Sequence, residues 1–176
     1  MSHRFFLLPL AAVTLSVPAQ AAVYLTVEQA QALMFPGATF TADVRTLTRD
    51  QVRAIEKAAD VSVRNTTLKL WRASTGGWFI VDEVIGKHDF IPFALALDDE
   101  GAVKSVEILE YRENYGGQIR DAAWRRQFDG KRHGARLKLE ADIQNISGAT
   151  LSCRHVTDGI KRLLATYALV IAPAAR

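Results

Sequence analysis

Four small residues, Ser147, Gly148, Ala149 and Thr150, stand directly before a long amphipathic run near the end of the chain. Gly148 has no Cβ, so a ligand can approach its backbone closely, and Ala149 adds little bulk. The first N–H groups of a helix lack intrahelical partners, and with the helix dipole they form a site for an anion such as phosphate. The hydroxyl of Thr150 sits beside that site, where it can contact a phosphoryl group or be esterified by one. The plain alternative is N-capping, for which Ser, Thr and Gly are ordinary choices.

A second group of residues lies upstream, in "EYRENYGGQIRDAAWRRQFDGK". Glu113, Tyr115, Gly116 and Gly117 read as a turn, followed by a helix from Gln118 to Phe128. Trp124 and Phe128 share one face of that helix at i, i+4 and read as core. The stretch Tyr111 to Lys138 carries eight basic residues against three acidic ones. It reads as a solvated helix and loop, with a basic face for an acidic partner as the alternative. Lys131 and Arg132 are candidates to reach a bound phosphate.

Other chemistry finds little support. His88, His133 and His155 share no metal-ligand spacing, and "DDEG" (Asp98 to Gly101) lacks the calcium-loop spacing, so no metal site is assigned. P-loop, nucleophile-elbow and dinucleotide fingerprints are absent from the sequence, and no catalytic residue is assigned. The lone cysteine, Cys153, reads as a small half-buried residue on the last helix.

The elements that must position these groups follow from periodicity. Thr26 with Gln29 and Thr48 with Gln51 are capping-box pairs, opening helices at Thr26–Met34 and through "TRDQVRAIEKAAD". A strand is expected over Phe40–Leu47. "TTLKLWRA" and "GWFIVDEVIG" flank one hairpin turn, Ser74 to Gly77, and "IPFALAL" and "AVKSVEILEY" flank another, Asp98 to Gly101. Leu137 to Ile143 reads as one more strand. The last helix runs from about Thr150 to Val170, with Val156, Ile160, Leu163, Leu164, Tyr167 and Ile171 at helical spacing. The fold class is α+β: an antiparallel sheet of about four to six strands, packed with N-terminal, middle and long C-terminal helices.

Residues 1–21 read as a secretory signal peptide: Arg4, an apolar run from Phe5 to Val17, and the small-residue site Ala19-Gln20-Ala21. An uncleaved anchor is the alternative. The remaining 22–176 is expected to form a single domain in the periplasm or another exported location, in association with the inner membrane as one possibility. Cleavage would remove Arg4 alone among charged residues, taking the formal charge from +3 to +2. That is too mild to argue for nucleic acid.

Taken together and in order, the two motifs resemble the FMN-binding domain family, over about Thr66 to Tyr167. That family includes the C subunit of the sodium-pumping NADH:quinone reductase and the G subunit of the Rnf complex. The resemblance implies FMN held by a phosphoester bond to Thr150, with Ser147, Gly148 and Ala149 completing the motif. It also implies maturation by a magnesium-dependent FAD:protein FMN transferase. Glu113, Tyr115, Gly116 and Gly117 would form the second part of the cofactor site. Two departures stand out: the family's aspartate six residues before the threonine is Gln144 here, with Asp142 the nearest acid, and the family's Pro-Gly-Leu-Gly turn is Asn114-Tyr115-Gly116-Gly117. Gly116 and Gly117 would admit a flat ring, and Tyr115 could stack on it.

The expectation is therefore an exported, non-enzymatic electron carrier. It would relay electrons between a membrane reductase or cytochrome and an acceptor. The alternative is a cofactor-free periplasmic binding or interaction domain, in which Ser147–Thr150 only caps a helix.

Overall fold

The structure is a computed structural model that describes residues 22–174. The expected signal peptide lies outside the described residues.

Five strands form an antiparallel sheet in sequence order: β2 (Phe40–Thr46), β3 (Thr67–Ala73), β4 (Trp78–Ile85), β5 (Phe90–Leu97) and β6 (Val103–Ile108). A short strand, β1 (Ala22–Val23), pairs with β7 (Glu110–Tyr111) in a second small sheet. Helix α1 (Val27–Met34) and helix α2 (Arg49–Ala59) each open with a capping box at Thr26 and Thr48, as the sequence predicts. The long helix α4 (Thr150–Thr166) continues through a π-helical segment, Tyr167–Ile171, to Ala174.

Strand β5 shows how sequence divides the two faces. Ile91, Phe93, Leu95 and Leu97 point into the larger core, with Val156, Ile160, Leu163 and Leu164 of α4 and Ile55 of α2. Ala94 and Ala96 point the other way, into a smaller cluster with Ala30, Met34 and Phe35 at α1. Alternation of large and small residues along one strand therefore sets a thick layer on one face and a thin one on the other. Both faces are covered, which is why "FALAL" reads as an unbroken apolar run. Gly159 lets α4 lie close on the sheet: a Cβ there would stand 2.7 Å from Val84 Cγ1 and 3.2 Å from Phe93.

The hairpin turns tie the sheet to itself. Asp98 Oδ1 accepts from the N–H groups of Glu100 (2.9 Å) and Ala102 (2.8 Å), and Asp99 Oδ1 accepts from Gly77 N–H at 2.9 Å. "DDEG" thus works as a turn, as its position predicts.

Three expectations need correction. The helix expected over Gln118–Phe128 is broken into a 3₁₀ turn (Gly117–Arg120), a single α-turn, α3 (Ala122–Arg125), and a second 3₁₀ turn (Arg126–Phe128). Asp121 takes an extended backbone between them (ψ 128°), which interrupts the ladder. Trp124 and Phe128 still meet edge to face at 5.2 Å and are buried, as their spacing implies. Residues 137–143 form no strand but a coiled loop with a single bridge from Leu139 to Ile143. The Asp142 carboxylate draws the loop together, accepting from the N–H groups of Leu137 (3.1 Å) and Lys138 (2.7 Å) and from Lys131 Nζ (3.1 Å). Finally, "AVKSVEILEY" is not one strand. It breaks at Leu109, and its last two residues turn away to pair with β1.

Candidate functional site

The two motifs meet. A cavity of about 440 Å³ is lined by Glu113, Asn114 and Tyr115 from the turn after β7, and by Gly148 to Ser152 at the start of α4. Lys87 and His88, from the tight turn between β4 and β5, close a third side. Its size falls within the usual range for small-molecule sites.

The α4 wall presents unpaired donors. The helix begins with Ala149 as N-cap and Thr150 as its first residue, and no side chain caps it. The first helical bond runs from Cys153 N–H to Ala149 C=O at 2.9 Å. The N–H groups of Thr150, Leu151 and Ser152 therefore have no partner among the described residues, and all three residues line the cavity. Aligned donors at the start of a 17-residue helix favour an anion. The capping alternative is corrected here: the Thr150 hydroxyl is not the cap. It accepts instead from Asn145 Nδ2 at 3.0 Å.

Tyr111 joins the two halves. Its hydroxyl donates to the Tyr115 carbonyl at 2.5 Å and lies 3.0 Å from Ser152 Oγ on α4. Burial pushes the Tyr111 phenol above its ordinary value, partly offset by Ser152. Gly116 lies behind this clamp with φ +91°; a Cβ there would strike the Cβ of Ala149 and stand 2.7 Å from the Tyr111 hydroxyl. The glycine therefore seats the turn against the helix.

Glu113 secures the third wall. Its Oε1 accepts from the N–H groups of His88 (2.6 Å) and Asp89 (3.1 Å). Burial pushes its carboxyl up, but the backbone N–H groups of His88, Asp89 and Lys87 together hold it below the usual carboxylate range. Glu113 thus serves the cavity by holding the β4–β5 turn. Tyr115 is 79% exposed and Leu151 41%, so the cavity has an aromatic and aliphatic rim open to solvent.

Of the eight residues expected at a cofactor, five line this one cavity: Glu113, Tyr115, Gly148, Ala149 and Thr150. Gly116 packs behind it, while Ser147 and Gly117 lie outside its lining. Gly117 needs no special backbone and opens the 3₁₀ turn. Lys131 and Arg132 are engaged elsewhere, with Asp142 and Glu100, so the cation of the cavity is Lys87. Arg112 and Arg125 are likewise paired, with Glu110 and Glu107, and Arg120 stacks over Tyr24. Half of the eight basic residues of the stretch are thus paired with carboxylates within the fold.

At the family's aspartate position, Gln144 has an exposed side chain and a pinned backbone: its N–H donates to Gln127 Oε1 (2.7 Å) and its C=O accepts from Trp124 Nε1 (2.8 Å). Asp142 does not replace it, being committed to its own loop. Cys153 is buried and its thiol is pushed up by burial, an inert structural cysteine. His155 donates to the Ile85 carbonyl through Nδ1 at 2.6 Å, tying α4 to β4. Among the described residues no helix is long and apolar enough to cross a membrane.

The site thus combines, in an α+β domain, an uncapped helix start, a hydroxyl beside it and an exposed aromatic rim. Residues 86–165 match the family model of the FMN-binding domain, as the two motifs predict, and this match supports FMN as the cofactor. The match begins at Gly86, at the very turn that supplies Lys87 and His88. No curated protein matches the chain.

Proposed function

We propose that the protein is an exported flavoprotein electron carrier in which FMN is attached by a phosphoester bond to Thr150. The observation that carries this reading is the row of unpaired N–H groups at Thr150, Leu151 and Ser152, facing the cavity that also holds the Thr150 hydroxyl. A phosphate esterified there would lie against those donors, with Lys87 adding a positive charge. Tyr115 and Leu151 would lie along the flavin ring at the open rim. Bound there, FMN supplies the electron chemistry, and the protein holds and orients it. An exposed rim suits exchange of electrons with partner proteins, a membrane reductase or cytochrome on one side and an acceptor on the other. Maturation would use an FAD:protein FMN transferase acting on the exported chain, from which residues 1–21 have been removed.

The test is the intact mass of the protein purified from its own exported compartment, with fluorescence of the denatured band. A gain equal to FMN less one water, mapped to a peptide holding Thr150 and lost in Thr150→Ala, is the expected result. An unmodified mass and a dark band, in a host that has the transferase, would sink the covalent reading. A protein that is then colourless as well would bring the cofactor-free binding domain to the front.

A further inference from the structure

The loop before α4 carries a hydrogen-bonded chain that ends on the Thr150 hydroxyl. Asn145 Nδ2 donates to Thr150 Oγ1 at 3.0 Å and to Glu140 Oε1 at 3.3 Å. A carboxylate can only accept, so Glu140 decides which end of the amide faces the pair: the nitrogen. The amide oxygen, Asn145 Oδ1, is then left buried without a donor. Buried polar atoms are nearly always partnered, so stability alone does not select this arrangement. Glu140 is also one of three non-glycine residues with positive φ among the described residues, at +63°. Such backbone is held only where the surroundings over-determine it, and it gathers at functional sites.

We infer that Asn145, oriented by Glu140, is a positioning residue for the Thr150 hydroxyl as phosphoryl acceptor, an inference that rests on the covalent reading above. Because the amide N–H occupies one lone pair of Oγ1, the hydroxyl hydrogen must point elsewhere on that oxygen, away from Asn145. Attack on FAD joins Thr150 Oγ1 to the phosphorus of the FMN half. The bond from that phosphorus to the bridging oxygen breaks, and AMP leaves with the electron pair. The hydroxyl proton passes to a base of the transferase. An N–H aimed at Oγ1 stabilises the negative charge that grows there as the proton leaves. The carboxylate acts at a distance, by keeping the nitrogen rather than the oxygen of the amide turned to Thr150.

The test is labelling of the purified flavin-free chain with FAD, magnesium and an FAD:protein FMN transferase, followed by intact mass over time. The wild type, Asn145→Ala and Glu140→Gln are compared over a range of chain concentrations. Asn145→Ala should lower the kcat of labelling by about tenfold or more, with the KM for the chain unchanged. Glu140→Gln, whose amide can face either way, should lower kcat by roughly threefold. A raised KM at unchanged kcat would mean that the loop only docks the transferase, and equal rates would mean that Asn145 is idle; either overturns the inference. Should Asn145→Ala fail to fold, Glu140→Gln decides alone, since Glu140 is exposed and an unchanged kcat there overturns it. A wild type that takes no label at all refutes the covalent reading, and this inference with it. A wild type and Asn145→Ala labelled alike refute only the latter.

Discussion

The two halves of α4 handle polarity in opposite ways. At its start, donors are left open: Thr150, Leu151 and Ser152 offer unpaired N–H groups to a solvent-connected cavity. Further along, polarity is sealed in. Arg162 is only 6% exposed and pairs with Asp82 at 2.6 Å, and Thr157 and Thr166 turn their hydroxyls back onto the carbonyls of Cys153 and Arg162. Burial pushes the Asp82 carboxyl above its ordinary value even with Arg162 beside it. One helix thus carries a region whose bonding capacity stays open to a cavity and a region whose capacity, the buried Arg162 Nε apart, is spent on the fold. Damage should separate along that line: stability lost at the far half, cofactor retention lost at the near half.

The largest expected effect lies in the sealed half. Arg162→Ala leaves Asp82 buried without its partner and should cost about 3–5 kcal/mol in urea unfolding. A double replacement, Asp82→Leu with Arg162→Met, should recover most of that, since paired desolvation and attraction largely offset. Next comes Gly116→Ala, which forces a left-handed alanine into the Cβ of Ala149. A loss of about 2–4 kcal/mol is expected, with the turn lifted off α4 and flavin retention impaired.

Tyr111→Phe removes the clamp but keeps the ring. It should cost about 1 kcal/mol in stability and raise hydrogen exchange at Ile119, whose N–H donates to the Gly116 carbonyl, while regions around Arg162 stay protected. Glu113→Gln tests the third wall through pH. The folded carboxyl is depressed, so its contribution is present above the ordinary glutamate value, about 4.3, and is lost as pH falls through the lower folded value. The stability gap between wild type and Glu113→Gln should therefore hold at neutral pH and close in acid. The smallest effect on stability belongs to Thr150→Ala, about 0.5 kcal/mol, because its hydroxyl caps nothing and gives up only the hydrogen bond from Asn145, whose amide keeps Glu140. Should this variant prove as damaging to the fold as Arg162→Ala, the division of the helix would be wrong.

Local signals in the sequence carry much of this architecture. The boxes at Thr26 and Thr48, the turns at Ser74–Gly77 and Asp98–Gly101, and the apolar spacing from Val156 to Ile171 each declare their element within a few residues. The failures are places where a single residue overrides a pattern. Asp142 folds an alternating "LKLEADI" into a loop, and the extended backbone at Asp121 cuts a helix whose Trp124 and Phe128 are nevertheless on the expected face.

The site was half legible for a similar reason. Thr150 and Tyr115 are visible as motifs because their neighbours are unusual. Lys87 and His88 reach the cavity only because the register Ile85 to Phe90 ends β4 and β5 beside it. Tyr111, Ser152 and Asn145 have no local signature; their roles exist only once the turn meets the helix. The short "GKHD" link between two strand patterns was the one available hint that a third segment would arrive there.

Gly159 gives the helix a fulcrum. At that residue α4 rests on Val84 and Phe93 with nothing but backbone between. Nine residues separate it from Thr150, so the arm to the open donors is about 14 Å long. Rotation of about 5° at the pivot therefore swings the donors by about 1 Å, a large fraction of a hydrogen bond's tolerance. The aim of the cavity is set by a contact that never touches it, and a single added methyl group at the pivot would misalign the whole lever.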